Sequence, residues 1–473
     1  MNDIAQETHD FDLVILGTGS GNSVVVPEMD GWRIAIVERG VFGGTCLNVG
    51  CIPSKMLIYA ADVANTIGHA ARYGVHGTFD GADWPAIRDR VFGRIDPIAE
   101  GGRRYRHSLD NVTVFEGDAH FVAERTLEVV GDHVDGVRVR GEQVVIAAGA
   151  RPFVPQIPGL LDGPFHTSDT IMRVDALPEH LVVLGGGFIA AELGYVFHSL
   201  GSKVTIVNRS NRLLVAEDAD VSARYTELAP DGVDEVVLGA TVERVDHGEV
   251  GVHVRVRTTD GTRTIDGDVL LVATGRRANG DQLNGAAAGV EVDGDGHVVV
   301  DRYGRTSAPG VWALGDVNGR HQLKHMANGE AKVVTHNVLH PDDLRELDHR
   351  PAPHAVFGSP QIGAVGLTEA QARATGRPVA VTIRDYAGAA YGWALEDTTS
   401  FCKLIADPAT RTLLGAHVIG YQASLLVQLF VQGMHLGQTV DELVHGQIWI
   451  HPALSEVAEQ AMLDLVDELD RLA

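Results

Sequence analysis

The sequence predicts an α/β protein built from two Rossmann-like, doubly wound units followed by a C-terminal α+β segment, and three observations predict it. Two apolar strands, residues 11–16 and 181–184, each run into a glycine-rich turn, Gly17-Thr18-Gly19-Ser20-Gly21-Asn22 and Gly185-Gly186-Gly187-Phe188-Ile189-Ala190. Each turn is followed by a second apolar strand, residues 33–37 and 203–207. After Pro351-Ala352-Pro353 the pattern changes to β-rich stretches and then to helical sequence over residues 425–434. A chain of 473 residues with 45% hydrophobic content has room for about three or four domains with full cores.

Taken in order, the first turn places Gly17, Gly19 and Gly21, with Ser20 among them, where backbone N–H groups approach a pyrophosphate at the start of an expected helix. Asn22 stands where a third glycine is usual. The strand that follows ends in Glu38, 21 residues after Gly17, placed to take ribose hydroxyls. This site is read as the FAD site. The second copy carries Gly185, Gly187, Ile189 and Ala190, and its next strand ends in Asn208-Arg209-Ser210-Asn211-Arg212 with no acid. A carboxylate there would repel a 2′-phosphate, whereas Arg209, with Arg212 nearby, would attract it. The second site is read as the NADPH site. Buried-type strands with glycine exits follow at residues 144–149 and at 269–275, the latter ending on Gly275. Alternation between Val233 and Val269 predicts a β-meander, residues 311–316 a strand ending in a turn, and residues 323–339 a helix.

The chain has only three cysteines, Cys46, Cys51 and Cys402. A cross-link over the four residues between Cys46 and Cys51 removes little unfolded-state entropy, so the pair makes sense as a disulfide that opens and closes. The spacing alone also admits a metal pair, but no second close pair of cysteines accompanies it, and no metal is expected. Pro53 suits the first turn of a helix through residues 55–63. Cys51 then lies at that helix's positive end, where a thiolate is favoured. Cys402, in a strand-like stretch, is expected to be a buried packing residue.

A formal charge of −25 argues against nucleic acid and anionic membrane as partners. The first ten residues lack the basic start and apolar core of a secretory signal, and the apolar runs are strand-sized. With a redox-active cysteine pair, these features place the protein in a reducing cytoplasm.

The motifs at residues 17–22, 46–55, 185–192, 273–277, Gly315-Asp316 and His451-Pro452-Ala453-Leu454-Ser455-Glu456 occur in one order. In that order the chain resembles, over nearly its whole length, the flavoprotein disulfide reductases of the pyridine-nucleotide family, which includes glutathione reductase and dihydrolipoamide dehydrogenase. The resemblance implies an FAD-binding first segment at 1–151, an NADPH-binding domain at 152–276, a central segment at 277–344 and a dimerisation domain at 345–473. It implies that electrons pass from NADPH through FAD and a Cys46–Cys51 disulfide to a low-molecular-weight disulfide. Cys51 would face the flavin and Cys46 would attack substrate. Lys55 would sit by the flavin and pair with Glu192. Glu38, Thr45, Ala119 and Asp316 would hold FAD, and Arg209 the 2′-phosphate. His451, oriented by Glu456, would serve as acid–base group across the interface of a homodimer.

Some residues depart from the family pattern. Phe188 replaces a gating tyrosine, Ala278 stands where proline is common, and Val26-Pro27-Glu28 offers no arginine for a glutathione carboxylate. The last argues against glutathione disulfide. Lys332 is the one basic residue near a family substrate position, and a solvated helix position accounts for it. The family rival is an NAD-dependent dihydrolipoamide dehydrogenase, which would carry an acid where Asn208-Arg209 stand. A mercuric-ion reductase usually needs a C-terminal cysteine pair, and residues 467–473 contain none.

Overall fold

A computed structural model describes residues 8–132, 134–249, 251–346 and 348–473; most of the opening segment read above, residues 1–7, lies outside the described residues. The chain forms two compact units, one from Met1–Met56, Pro85–Phe153 and Gly275–His349, the other from Leu57–Trp84, Val154–Thr274 and Arg350–Ala473. Among the described residues no helix is long and apolar enough to cross a membrane.

In the first unit, the continuous apolar runs Leu13-Val14-Ile15-Leu16 and Ile34-Ala35-Ile36-Val37 mark strands covered on both faces. They lie in Thr8–Leu16 and Ile34–Glu38, which pair in parallel with Leu13 opposite Ile34 and Leu16 opposite Val37. Val112–Glu116 flanks one side, and Val134–Ile146 the other. Val311–Ala313 pairs in parallel with the end of Val134–Ile146, while Thr126–Gly131 and Asp118–Ala123 extend its beginning as antiparallel strands. Because successive side chains point to opposite faces, Val14, Leu16, Ala35 and Val37 enter one core with Phe121 and Val139. Leu13, Ile15, Ile34 and Ile36 enter another with Val145 and Trp312. The carboxyl ends of the parallel strands share one edge, where ligands bind in open α/β sheets.

The helix expected after the first glycine turn does not form. Ser20–Ser23 is a single 3-10 turn, and Pro27–Met29 is another. The β-branched run Val24-Val25-Val26 loses side-chain freedom in a helix, and Pro27 lacks the N–H needed to continue one. Asn22 also has a role that glycine lacks. Arg106, buried on the helix Trp84–His107, donates to its Oδ1 at 2.6 Å and to its carbonyl at 2.5 Å.

In the second unit, a four-stranded parallel sheet runs in the order Glu235–Val237, Lys203–Val207, His180–Leu184, Val269–Val272. The helix Phe188–Ser199 follows its glycine turn as expected. The predicted meander is the antiparallel trio Thr241–His247, Val252–Thr258 and Gly261–Gly267. A five-stranded antiparallel sheet, in the order Pro353–Val356, Ile362–Gly366, Leu413–Ile419, Phe401–Ala406, Ala380–Asp385, packs against Ala423–Leu436 and Ser455–Leu472. Cys402 lies in that core, 1% exposed, and burial pushes its thiol up.

Lys403, one residue on, points to the other face and is equally buried. Its ammonium lies 2.8 Å from Asp218 Oδ1, 2.6 Å from Asp220 Oδ2 and 2.7 Å from Glu369 Oε2. Asp218 also caps the helix Ala219–Leu228 and accepts the Glu369 N–H. Lys403 holds Glu369 below the usual carboxylate range; burial raises Asp218, but the Lys403 bond, the Glu369 N–H and the nearby positive charges together outweigh it and hold Asp218 low as well. The stabilisation is therefore complete above the ordinary carboxylate range and is lost as pH falls through the depressed values. We predict that Lys403→Met, which strands the Asp218 carboxylate, costs about 3–5 kcal/mol in denaturant unfolding near neutral pH. A cost below ~1 kcal/mol would show that the cluster contributes little.

Candidate active site

Three glycines build the cysteine segment. Gly43 and Gly44 both take positive φ, at 100° and 66°. A Cβ on Gly44 would lie 2.7 Å from the Gly19 Cα, so the first glycine loop meets this segment backbone to backbone. A one-turn helix then follows, Gly44–Asn48, carrying Thr45 and Cys46. Asn48 closes it by donating to the carbonyls of Phe42 at 2.9 Å and Gly44 at 3.1 Å, while its buried Oδ1 has no partner. Gly50 turns the chain back so tightly that a Cβ would sit 2.9 Å from the Thr45 oxygen. Cys51 is thus the first residue of the long helix Cys51–His69, with Pro53 in its first turn as expected.

The two sulfurs are free thiols joined by a hydrogen bond, and they have divided acidities. Cys51 is pushed down to about 7, chiefly because the Cys46 thiol donates to it, against partial burial; the Lys55 charge adds to the lowering and its own amide N–H contributes less. The hydrogen bond from Cys46 adds to the helix start that the sequence led one to expect. Cys46 is pushed well up by the same bond, by burial and by the Cys51 charge, and the Lys324 charge opposes this.

The glycine loop is closed by residues that only the fold brings together. Gly17 has φ 97°, and a Cβ there would strike the Ala147 oxygen at 2.4 Å. Glu38 Oε2 accepts the Thr18 N–H at 2.8 Å and hydroxyl at 2.6 Å, and Oε1 accepts the Gly40 N–H. The Thr18 hydroxyl accepts the Gly43 N–H at 3.1 Å. Ala119 lies on Asp118–Ala123 opposite Val129. Asp316 lies in the 3-10 turn Gly315–Asn318, held by Glu330 Oε2 through the Gly315 N–H at 2.7 Å and the Asn318 amide at 3.0 Å. Burial pushes Asp316 up while Arg276 opposes it, which suits a carboxylate facing a polyhydroxyl chain. The buried, unpartnered Asn48 oxygen and the open space at Gly149 further fit an FAD-sized ligand along this edge.

In the second unit, Gly185 at φ 125° avoids the Ala273 oxygen, and Gly186 avoids the Asn208 side chain. Gly187 has open space over it at the start of Phe188–Ser199, a cradle fitting a pyrophosphate. Phe188 is 52% exposed, Ile189 is half-buried and Ala190 is buried. Asn208, where an acid is usual, donates to the carbonyls of Ser210 and Arg212 and so folds the turn that leaves Arg209 exposed. Arg212 is also exposed and donates to the Ala219 carbonyl. Glu192 is buried and accepts the Phe357 N–H at 3.0 Å. Gly275, at φ 120° in the first unit, also has open space over it, and Lys332 is exposed.

His451 Nδ1 lies 2.7 Å from Glu456 Oε1, and Glu456 Oε2 accepts the Ala453 N–H. Glu456 stands in the first turn of Ser455–Leu472, and His451 holds it below the usual carboxylate range. The imidazole is thereby oriented with its side chain 74% exposed, and Ile448 and Ile450 just before it in the chain are 98% and 72% exposed. Thr18, Asn48 and Lys324 are the residues sequence reasoning passed over. A lysine at the first position of Lys324–Leu339, against the helix dipole, was the one available signal.

Residues 11–331 match the signature of the family described as pyridine nucleotide-disulphide oxidoreductase, and residues 352–462 its dimerisation domain. Mycothione reductase of Mycobacterium tuberculosis is 49% identical over 96% of this chain and 99% of its own. A dihydrolipoyl dehydrogenase of Chlamydia muridarum is 30% identical over 96% of each chain. A mercuric reductase of Staphylococcus aureus is 30% identical over 92% of this chain and 79% of its own. Among solved structures, the HOCl-induced flavoprotein disulfide reductase RclA from Escherichia coli superposes with a TM-score of 0.81, at 30% identity over 96% of this chain and 99% of that one.

Cys46→Ala removes the strongest influence on Cys51, so the Cys51 thiolate should form at a pH above about 7, higher by roughly one unit or more. Thiolate absorbance followed against pH measures this. An unchanged midpoint would show that Lys55 and the helix start suffice.

Proposed function

The chain belongs to the pyridine nucleotide-disulphide oxidoreductase family, and from that premise we propose that it reduces mycothione to mycothiol with electrons from NADPH. Its reaction class is flavoprotein disulfide reduction. The observation that carries the reaction is the hydrogen-bonded Cys46–Cys51 pair with divided acidity. Support for the substrate is the 49% identity with mycothione reductase, to which the Gly-Thr-Gly-Ser-Gly-Asn-Ser opening and the residues Trp449 to Leu454 also point. Support for NADPH over NADH is Arg209, left exposed beside Asn208, which stands where an acid is usual. In this reading residues 1–151 and 277–344 hold FAD, 152–276 hold NADPH, and 345–473 form the interface of a homodimer.

FAD, when bound, carries the two electrons of a hydride from the nicotinamide to the Cys46–Cys51 disulfide. The residues of the chain do the rest. Reduction leaves Cys51 as the thiolate, because it is the more acidic sulfur, and Cys46 holds the proton. Cys46 therefore needs a base before it attacks. An oriented, exposed His451 of the second subunit is the proposed base, and the bare Ile448 and Ile450 beside it are apolar surface suited to a subunit contact. The Cys46 thiolate bonds one substrate sulfur, and the other leaves as a thiolate that takes the proton back from the imidazole. The Cys51 thiolate then displaces the second substrate sulfur from Cys46 as a thiolate and restores the disulfide; that thiolate takes a proton from solvent, so the hydride supplies two electrons and one proton and water the other proton.

A panel of mycothione, glutathione disulfide and lipoamide assayed with NADPH tests this reading. Mycothione should turn over at least about tenfold faster than either rival, a difference of ~1.4 kcal/mol. Lipoamide turnover that equals it, or a strong NADH preference, would reject the substrate or cofactor assignment. His451→Ala should slow the disulfide half-reaction by about 10²–10⁴ while flavin reduction by NADPH is kept. Cys46→Ser should accept hydride yet fail to turn over any disulfide.

A further inference from the structure

We infer that the Lys324 ammonium is a dedicated electrostatic partner of Cys46, a positioning residue that favours the thiolate which attacks the substrate disulfide. The inference rests on the reading of Cys46 as the attacking sulfur.

Lys324 opens the 16-residue helix Lys324–Leu339, where its charge opposes the positive helix end rather than complementing it. Helix stability does not account for it. The side chain is half-buried, and its Nζ donates to the Ser20 hydroxyl at 2.9 Å. Ser20 adjoins Gly19, whose Cα lies against Gly44, and Gly44 begins the one-turn helix that carries Cys46 two residues on. The Lys324 helix also packs on the Ser20–Ser23 turn. The Ser20 bond and this packing thus hold the ammonium on the loop that meets the Cys46 helix at Gly44.

The groups acting on each sulfur divide cleanly. The charges of Cys51 and Lys324 act on Cys46, while those of Lys55 and Asp316 act on Cys51 beside its bond from Cys46. Lys324 draws Cys46 toward the thiolate as Lys55 draws Cys51, so each sulfur has its own lysine. The two serve different moments. Lys55 supports the charge at rest. Lys324 supports it when Cys46 loses its proton, bonds one substrate sulfur and releases the other with the electron pair of the broken S–S bond.

The test uses FAD-loaded enzyme carrying Cys51→Ser, in which Cys46 is the only accessible cysteine because Cys402 is buried. Iodoacetamide alkylation of Cys46 is followed against pH, with flavin content read from the visible spectrum. Adding Lys324→Gln should raise the midpoint by about one unit, a roughly tenfold slower alkylation on the acid side, and Lys324→Arg should restore it. An unmoved midpoint with flavin retained, or failure of arginine to restore it, overturns the proposal. So does loss of flavin from Lys324→Gln, which would make the lysine a cofactor ligand. Alkylation needs no disulfide substrate, so this outcome is separate from the fate of the mycothione assignment.

Discussion

The site depends on one contact between two stretches of bare backbone, Gly19 against Gly44. No side chain fits between them. Gly17 is pressed as closely on Ala147, so the carboxyl edge of the parallel sheet, the glycine loop and the cysteine segment are closed on each other as one piece. Thr18 links Glu38 on one strand to Gly43 at the entrance of the Cys46 helix. A displacement of the loop would therefore move the proposed nucleotide cradle and the sulfurs together.

From that closure follows an unequal pair of thiols. Gly50 folds the chain back on Thr45 and Cys46, bringing two cysteines of adjacent helices into a hydrogen bond. Such a bond cannot serve both sulfurs alike. It stabilises charge on the acceptor and withholds it from the donor. The short link between the cysteines thus does chemical rather than architectural service, and stability is supplied elsewhere, by the two-sided sheet cores and by buried networks such as that around Lys403.

Much of this was legible in the residues themselves. The first strands are apolar throughout because both faces are covered, and the meander alternates because one face is not. Pro53 marked the start of the long helix. What sequence could not show were features set by neighbours distant in the chain. Asn22 looked like an imperfect glycine until Arg106 was seen gripping it, and the helix after it gave way to Val24-Val25-Val26 and Pro27. The helix of Cys46 is too short and glycine-flanked to leave a periodic trace. The part of the Cys51 acidity that comes from its Cys46 partner is a matter of sulfur-to-sulfur geometry that spacing alone does not encode.

Cys402 is sealed in an apolar core and pushed away from its thiolate. Among the thiols, a burst of oxidant or electrophile therefore meets only those at residues 46 and 51. These can take refuge in a bond to each other, a state from which the normal supply of electrons recovers them. Irreversible scarring at a bystander thiol is thereby avoided, and oxidation is steered to the one pair of thiols that can be restored.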